Sequence, residues 1–371
     1  MTVGELSVAL PPADARLPEL RRMLDAEAAA EVLWRSLSLD PDDVRVVAVR
    51  YKPGRRLVVQ YDITVEATML RAVALLDAKV ADCLVQLWPE DAALPALRLP
   101  RDELAERLGI ETECAAPERL GYKPFTRATL RIGPRVPKLY ASEEKWRRAA
   151  TALERLTRTG SSQASLERVA PEIWGTVQRF VDGAVPEGPA AAMPAGALLR
   201  RLHGLLPAGC LPLVTAEDRL AESRRGAVLA RTIVPKLAAR AERAPAILAR
   251  RLPADEQLVA AHGDFEPGQL IAGNAGLALV DVDDLCAAPR ADDLGRYAAH
   301  AVRGASGDLD AVLDVLESLV DGYGMRPQGV EWYVAATVLA RAGSPFRHQE
   351  PDWPERVEAF LAVAEQMAGE L

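Results

Sequence analysis

Apolar positions fall into two textures along the chain. Up to about residue 182, short runs rich in β-branched and aromatic residues dominate, such as Leu57-Val58-Val59-Gln60-Tyr61 and Ala128-Thr129-Leu130-Arg131-Ile132, and these read as strands. One helix interrupts them. Trp146, Ala149, Ala150, Leu153 and Leu156 recur at helical spacing behind Ser142, with Glu143 and Glu144 suited to a helix start. Thr159-Gly160-Ser161-Ser162 reads as a loop and Gly175 to Val181 as a strand ending in Asp182-Gly183. Pro186 to Pro194 is rich in Pro, Gly and Ala and reads as a linker. Beyond it the texture turns helical. Leu198, Leu199, Leu202, Leu205 and Leu206 form one apolar face, and Leu309, Val312, Leu313, Leu316, Leu319 and Val320 form another. Residues 258–284 break this texture, with apolar runs on either side of Gly273-Asn274-Ala275-Gly276, a hairpin signal.

The strand-rich part repeats itself. Pro12-Ala-Asp-Ala-Arg-Leu-Pro-Glu-Leu-Arg21 returns as Pro89-Glu-Asp-Ala-Ala-Leu-Pro-Ala-Leu-Arg98. A helical stretch follows each copy, then Tyr51-Lys52-Pro53 or Tyr122-Lys123-Pro124, then Arg56 or Arg127 opening a strand. Two related α+β units are expected, at 1–88 and 89–140. Only the second continues into the extended segment Arg135-Val136-Pro137-Lys138-Leu139-Tyr140.

Composition narrows the class. At 371 residues, 49% hydrophobic and 26% charged, the chain is long enough for two or three folded domains and is not globally disordered. No run of 18 uncharged residues and no basic, apolar leader occur, so neither a membrane span nor a secretory signal is expected, and a cytoplasmic location is. Forty-five basic against 53 acidic residues give a net charge of −8, which argues against nucleic acid as a partner and is compatible with a cationic ligand. Cys83, Cys114, Cys210 and Cys286 are scattered without a C-x-x-C pair, which speaks against zinc and a disulfide framework.

The chemistry concentrates at the predicted hairpin. Pairing Ala272 with Leu277 sets Gln269 opposite Val280 and next to Asp281, while Asp264 lies on the loop feeding the first strand. One amide and two acids are hard oxygen donors of the kind Mg²⁺ takes together with phosphate oxygens and water. Phosphoryl transfer to a hydroxyl needs a carboxylate to orient the nucleophile and an acid to hold the metal on the nucleotide, and His262-Gly263-Asp264 to Gln269 followed by Asp281 supplies both. Asp281-Val282-Asp283 also fits the D-x-D of aspartyl phosphatases with Asp281 as nucleophile, a reading that requires alternating βα units.

The run from His262 to Gln269, with Leu279-Val280-Asp281-Val282-Asp283-Asp284 and Asp293-Leu294-Gly295, resembles the aminoglycoside phosphotransferase and choline kinase family. Lys138 resembles that family's lysine on the third N-lobe strand, Thr176 to Gly183 its hinge, and Leu202-His203 its first C-lobe helix. The resemblance implies an α+β, protein-kinase-like two-lobe fold: an N-lobe with hinge at 89–182, a mostly helical C-lobe at 183–371, and the repeat unit 1–88 as an additional N-terminal module. It implies ATP and Mg²⁺ as cofactors and a small-molecule hydroxyl acceptor such as an aminoglycoside, sugar or nucleoside. Asp264 would be the catalytic base, and Asp281 with Gln269 the metal ligands. Lys138 and the backbone around Arg179, Phe180 and Val181 would bind ATP, and His262 and Asp293 would support the catalytic loop. Asp283 stands just outside these first contacts.

Two positions depart from the family pattern. Gln269 replaces its metal-binding asparagine, and the helix after Lys138 shows Arg148 and Ala149 where a glutamate pairing with the lysine is expected. Loss of catalysis, leaving a nucleotide-binding pseudokinase, is the alternative these departures raise. His300 and His348 read as isolated structural histidines, Glu266 as solvent-facing or touching a cationic substrate, and Cys286 as a small buried hydrophobe.

Overall fold

A computed structural model describes residues 9–80, 82–111, 116–160, 165–186, 188–254, 257–274, 276–304 and 308–370. Cys114, Ser161, Ser162 and Ala275, which figure in the sequence reading, lie outside the described residues.

The first copy of the repeat opens with α1 (Leu20–Leu24) and α2 (Ala26–Leu37), the latter capped by Asp25, whose carboxylate accepts the Ala28 N–H at 2.9 Å. An antiparallel sheet follows: β1 (Asp43–Lys52), β2 (Arg56–Val65), β3 (Thr68–Asp77) and β4 (Leu84–Leu87), in that spatial order. Leu57 through Asp62 on β2 are buried on both faces, as expected of an interior strand made largely of Leu, Val and Tyr.

The second copy runs through α3 (Arg101–Leu108) into β5 (Glu118–Lys123), β6 (Arg127–Arg131) and β7 (Arg135–Tyr140), then α4 (Glu143–Arg158), β8 (Leu166–Ala170) and β9 (Gly175–Arg179). These strands form a five-stranded antiparallel sheet in the order β5-β6-β7-β9-β8. Leu94, Leu97, Leu104 and Leu108 pack with Leu130, Leu139 and Val177 in a small core of their own. Helix α4 carries the apolar stripe expected of it, with Ala149, Leu153 and Leu156 buried, and Ser142 caps its start. The strand expected to reach Val181 stops at Arg179, where the next amide, of Phe180, leaves the sheet to bond Pro134 O at 2.8 Å.

Helices make up most of the remainder, and one expectation is corrected there. The segment 186–194 is not a plain linker: a 3₁₀ turn at Pro189–Ala191 leads into α5 (Ala192–Leu205), and Pro194 sits in its first turn, where no helical N–H is lost. Leu206 lies past the helix end rather than on its face. Then come α6 (Ala216–Ile233), α7 (Ala238–Arg250), β10 (Leu258–Ala261), the hairpin β11 (Leu270–Gly273) and β12 (Gly276–Leu279), and β13 (Cys286–Pro289), which pairs with β10. The chain finishes through α8 (Arg290–Ala299), α9 (Ala301–Gly304), α10 (Leu309–Tyr323), α11 (Val330–Ala340), α12 (Ser344–Arg347) and α13 (Trp353–Glu370). One continuous core joins the first sheet and its helices to this helical region.

The hairpin has the expected register, Ala272 opposite Leu277 and Leu270 opposite Leu279. All paired strands named here are antiparallel, so the alternating βα units that the D-x-D phosphatase reading requires do not surround Asp281. Among the described residues no helix is long and apolar enough to cross a membrane.

Candidate active site

The site begins with a loop pinned from below. Asp293, fully buried near the start of α8, accepts the backbone N–H groups of His262 at 2.6 Å and Gly263 at 3.0 Å. Its carboxylate also meets His203 Nε2 at 3.1 Å, and the other nitrogen of that ring meets Tyr323 Oη at 2.9 Å. Burial pushes the Asp293 carboxyl up, but these bonds and the neighbouring histidines outweigh it and hold the group below its ordinary value. Gly263 has φ +83°, and a Cβ there would lie 2.3 Å from Asp284 O, so the turn before Asp264 admits only glycine. The buried His262 ring contacts Val280 O through Nε2 at 3.0 Å, tying the loop to the hairpin's end. Beneath the same loop, Arg219 grips Asp292 with two bonds of 2.7 and 2.6 Å and donates to Gly263 O at 3.3 Å.

The pinned loop presents Asp264 to a cavity of about 490 Å³. Arg296 and Arg341 approach its carboxylate at 3.3 and 3.6 Å. Burial raises the Asp264 carboxyl, yet the two guanidiniums outweigh burial and keep it below the ordinary carboxylate value, hence ionised at neutral pH. Glu266 is neither solvent-facing nor free: Arg341 binds it at 2.7 Å and His300 lies 3.8 Å away. His300 and His348 are not isolated either, because both line this cavity. A larger cavity of about 620 Å³, lined by Arg251, Arg326 and Trp332, includes none of the site residues.

A second cluster forms around Lys138 on β7. Its ammonium, on a residue 5% exposed, lies 2.6 Å from Asp281 Oδ1 and 2.9 Å from Asp283 Oδ1. Arg127, at the start of β6, spans both Asp281 oxygens at 2.8 Å and reaches Asp283 at 2.6 Å. Tyr140 adds a bond to Asp283 at 3.1 Å. Burial lowers the pKa of Lys138, but the two aspartates overcome it and raise the value; burial likewise lifts Asp281, while Lys138 and Arg127 pull it far down. Asp281 has left-handed backbone angles, φ 58° and ψ 48°, a strained conformation that aspartate tolerates better than most residues.

Asp283 is thus a direct partner of Lys138, which pairs with no glutamate of α4 among the described residues. On that helix the polarity is reversed: Arg148 donates to Asp284 O and pairs with its carboxylate, both at 3.3 Å. Gln269 closes a 3₁₀ turn before β11, where its carbonyl accepts the Val280 N–H at 2.9 Å and the residue is half-buried. At the hinge, Arg131 lies over the Phe180 ring at 3.8 Å from its centroid, and Arg179 is exposed and paired with Glu167 at 3.4 Å. After Val181 the chain reaches Ala184, which exchanges two backbone bonds with Ala272 of the hairpin at 3.1 and 2.8 Å. Cys286 is buried and its thiol is pushed up to about 12, largely by burial, which matches an inert core residue.

Sequence reasoning missed the supporting ions Arg127, Arg219, Asp292, Arg296 and Arg341. Arg127 alone had a signal, its fixed offset beyond Tyr-Lys-Pro in both copies. The others are arginines and an aspartate on helices or, for Arg341, just past the end of one, indistinguishable in pattern from solvated surface charges.

Residues 127–329 match the family described as phosphotransferase enzyme family. No curated protein matches the sequence. Among solved structures, a glucosamine kinase in complex with glucosamine, ADP and inorganic phosphate is similar over 92% of this chain and 97% of its own, at 17% identity and a TM-score of 0.54. A choline kinase from Streptococcus pneumoniae is similar over 73% of this chain and 98% of its own, at 15% identity and a TM-score of 0.51. Both likenesses concern the fold.

Proposed function

The chain belongs to the phosphotransferase enzyme family, and we propose that it transfers the terminal phosphoryl group of ATP to a hydroxyl of a small molecule, with Asp264 as catalytic base. The observation that carries this reading is the pinned loop, in which Asp293 holds the two amides before Asp264 and leaves its carboxylate facing a cavity of about 490 Å³. In this division residues 89–182 form the N-lobe, 183–371 the C-lobe, and 1–88 an N-terminal module.

Asp264 accepts a hydrogen bond from the acceptor's hydroxyl and then its proton. Its lowered pKa makes it a weak base, which suits a loose phosphoryl-transfer transition state that asks for orientation more than for early deprotonation. Lys138 provides a buried point charge for the nucleotide phosphates, and the backbone from Arg179 to Val181 lies along the hinge where the base would rest. Asp281 and Gln269 offer one carboxylate and one amide oxygen, a donor set that fits Mg²⁺ held chiefly through phosphate oxygens and water. Bound there, Mg²⁺ would neutralise charge on the phosphates. Arg127 must release its fork on Asp281 for a cation to reach it, which leaves a guanidinium beside the phosphates.

The test is ATP consumption and product phosphorylation across a panel of hydroxyl acceptors, run with Asp264→Asn in parallel. A wild-type protein that binds ATP yet phosphorylates nothing in the presence of its true acceptor, or an Asp264→Asn variant of undiminished turnover, refutes the assignment.

A further inference from the structure

The cavity facing Asp264 is more cationic than a hydroxyl site requires. Lys123, Arg225, Arg296, Arg303, Arg341 and Arg347 line it, six basic side chains against the three carboxylates of Glu222, Asp264 and Glu266. The chain as a whole carries −8, so this excess is local. The carboxylates are already engaged: Arg296 binds Glu222 and Asp264, Arg341 binds Glu266, and Arg303 turns outward to Glu350. Lys123, Arg225 and Arg347 have no ion pair among the described residues.

Arg347 is the telling member. It sits half-buried on α12 beside the core residue Phe346, and among the described residues its guanidinium has neither an ion pair nor a hydrogen bond. Burial, and then the charge of Arg341, press its pKa downward. Arg50 from the first sheet adds a second half-buried guanidinium close by, with only a 3.5 Å contact to Thr126. His300 and His348 are both pushed toward neutrality by burial and so contribute no further cation at neutral pH. A guanidinium that lines a cavity without a counter-charge presents a planar fork of donors suited to an oxyanion.

We infer that the acceptor is an anionic hydroxyl compound, whose carboxylate, phosphate or sulfate group is received by Arg347 while its hydroxyl meets Asp264. The inference rests on the phosphotransfer reading and narrows its acceptor. The same field disfavours an ammonium, so an amino sugar or a quaternary amine is the wrong partner for this cavity.

Sulfate is the binding probe, titrated into protein saturated with AMP-PNP and Mg²⁺ so that the nucleotide's own phosphate sites are filled, with tetramethylammonium as the opposite charge. Sulfate is expected to bind saturably, and Arg347→Gln to weaken it about tenfold to a hundredfold, the usual worth of one charge-assisted contact. Arg225→Gln, on an exposed position that does not threaten folding, is expected to weaken it by a smaller factor. Glucuronate, glucose 6-phosphate, glucose and glucosamine as acceptors with ATP then separate a carboxylate from a phosphate preference, and the ratio of acidic to neutral acceptor in kcat/KM should fall in Arg347→Gln. Preferential binding of tetramethylammonium overturns the inference, as does sulfate affinity that survives both substitutions. Sulfate displaced by AMP-PNP also overturns it, because these cations would then serve the nucleotide. Failure of the phosphotransfer reading looks different: AMP-PNP does not bind and ATP is never consumed, while sulfate binding to the free protein remains measurable.

Discussion

The two copies of the repeat use the same clasp to hold different equipment. In the first, Asp14 accepts the Tyr51 hydroxyl and the Gly54 N–H, both at 2.7 Å; in the second, Asp91 accepts the Tyr122 hydroxyl and the Phe125 N–H, both at 2.8 Å. Each clasp fixes a tight turn whose fourth residue is left-handed, Gly54 at φ 63° and Phe125 at φ 58°. Beyond the turn the copies part. Arg56 binds its own cross-strand neighbour Asp77, whereas Arg127 crosses to Asp281 and Asp283 in the helical region. Counting along the sheets from those arginines, Val58 opposite Leu75 corresponds to Thr129 opposite Lys138. A leucine in the first copy therefore occupies the station of Lys138 in the second. The strained residue goes with the equipped copy too: the first copy uses glycine at the left-handed position, and the second spends a phenylalanine there, next to the site. Shared hydrogen bonds preserve the scaffold, and a few side chains decide which copy pairs with the acids of the helical region.

Seven substitutions, in four groups, would break or sharpen that contrast. The largest effect belongs to the residue facing the equipped copy. Asp264→Asn should lower turnover by about 10²–10⁴-fold with the fold retained, measured as product formation at saturating ATP. Because Asp264 is held below its ordinary pKa, wild-type turnover should not lose its base until the pH drops below about 4, and a base-dependent inflection near neutrality would contradict the assignment.

Next comes the lysine. Lys138→Ala should cost about 10²–10³-fold in kcat/KM for ATP, while Lys52→Ala, on the first copy's exposed turn, should match wild type. The reverse result would place the nucleotide on the first copy.

The clasps come third. Asp91→Ala removes the buried acceptor of a half-buried hydroxyl and an amide and should destabilise by about 1–3 kcal/mol in denaturant unfolding, and it should also raise KM for ATP because its turn overhangs the site. Asp14→Ala should affect stability alone. Burial raises the Asp14 carboxyl, but Tyr51 and the turn amides outweigh it, so its folded pKa lies below the unfolded one. That contribution is complete above about pH 4 and is lost as pH falls through the folded pKa, so Asp14→Asn should flatten the acid limb of the stability curve. The smallest effect is expected of Arg56→Ala, which removes a half-exposed pair and should leave the denaturant midpoint close to that of wild type.

Much of this organisation is legible in the residues. The hairpin at 270–279 announces its register through Gly273-Asn274 and the flanking apolar runs, and the start of each repeat strand falls at Arg56 and Arg127 as read. The apolar face of α5 is legible, but its first turn was hidden because Pro189 and Pro194 signal a break in one dimension, whereas a proline in a helix's first turn is compatible with the fold. The partner of Lys138 was hidden for a different reason. The reading sought it on the next helix, and the counter-charge arrives from a segment more than 140 residues away, a pairing that only the folded lobes bring about.

That pairing bears on how inactive relatives are recognised. A survey that discards every chain lacking a glutamate on the helix behind the lysine would count this one among the dead. Here Lys138 is anchored by one short stretch, Asp281-Val282-Asp283, rather than by the helix behind it. An aspartate two residues beyond the acid that meets the lysine, together with an arginine at the start of the neighbouring strand, is the more informative pair to look for. With those two in place, an arginine at position 148 is a change of wiring rather than a sign of decay.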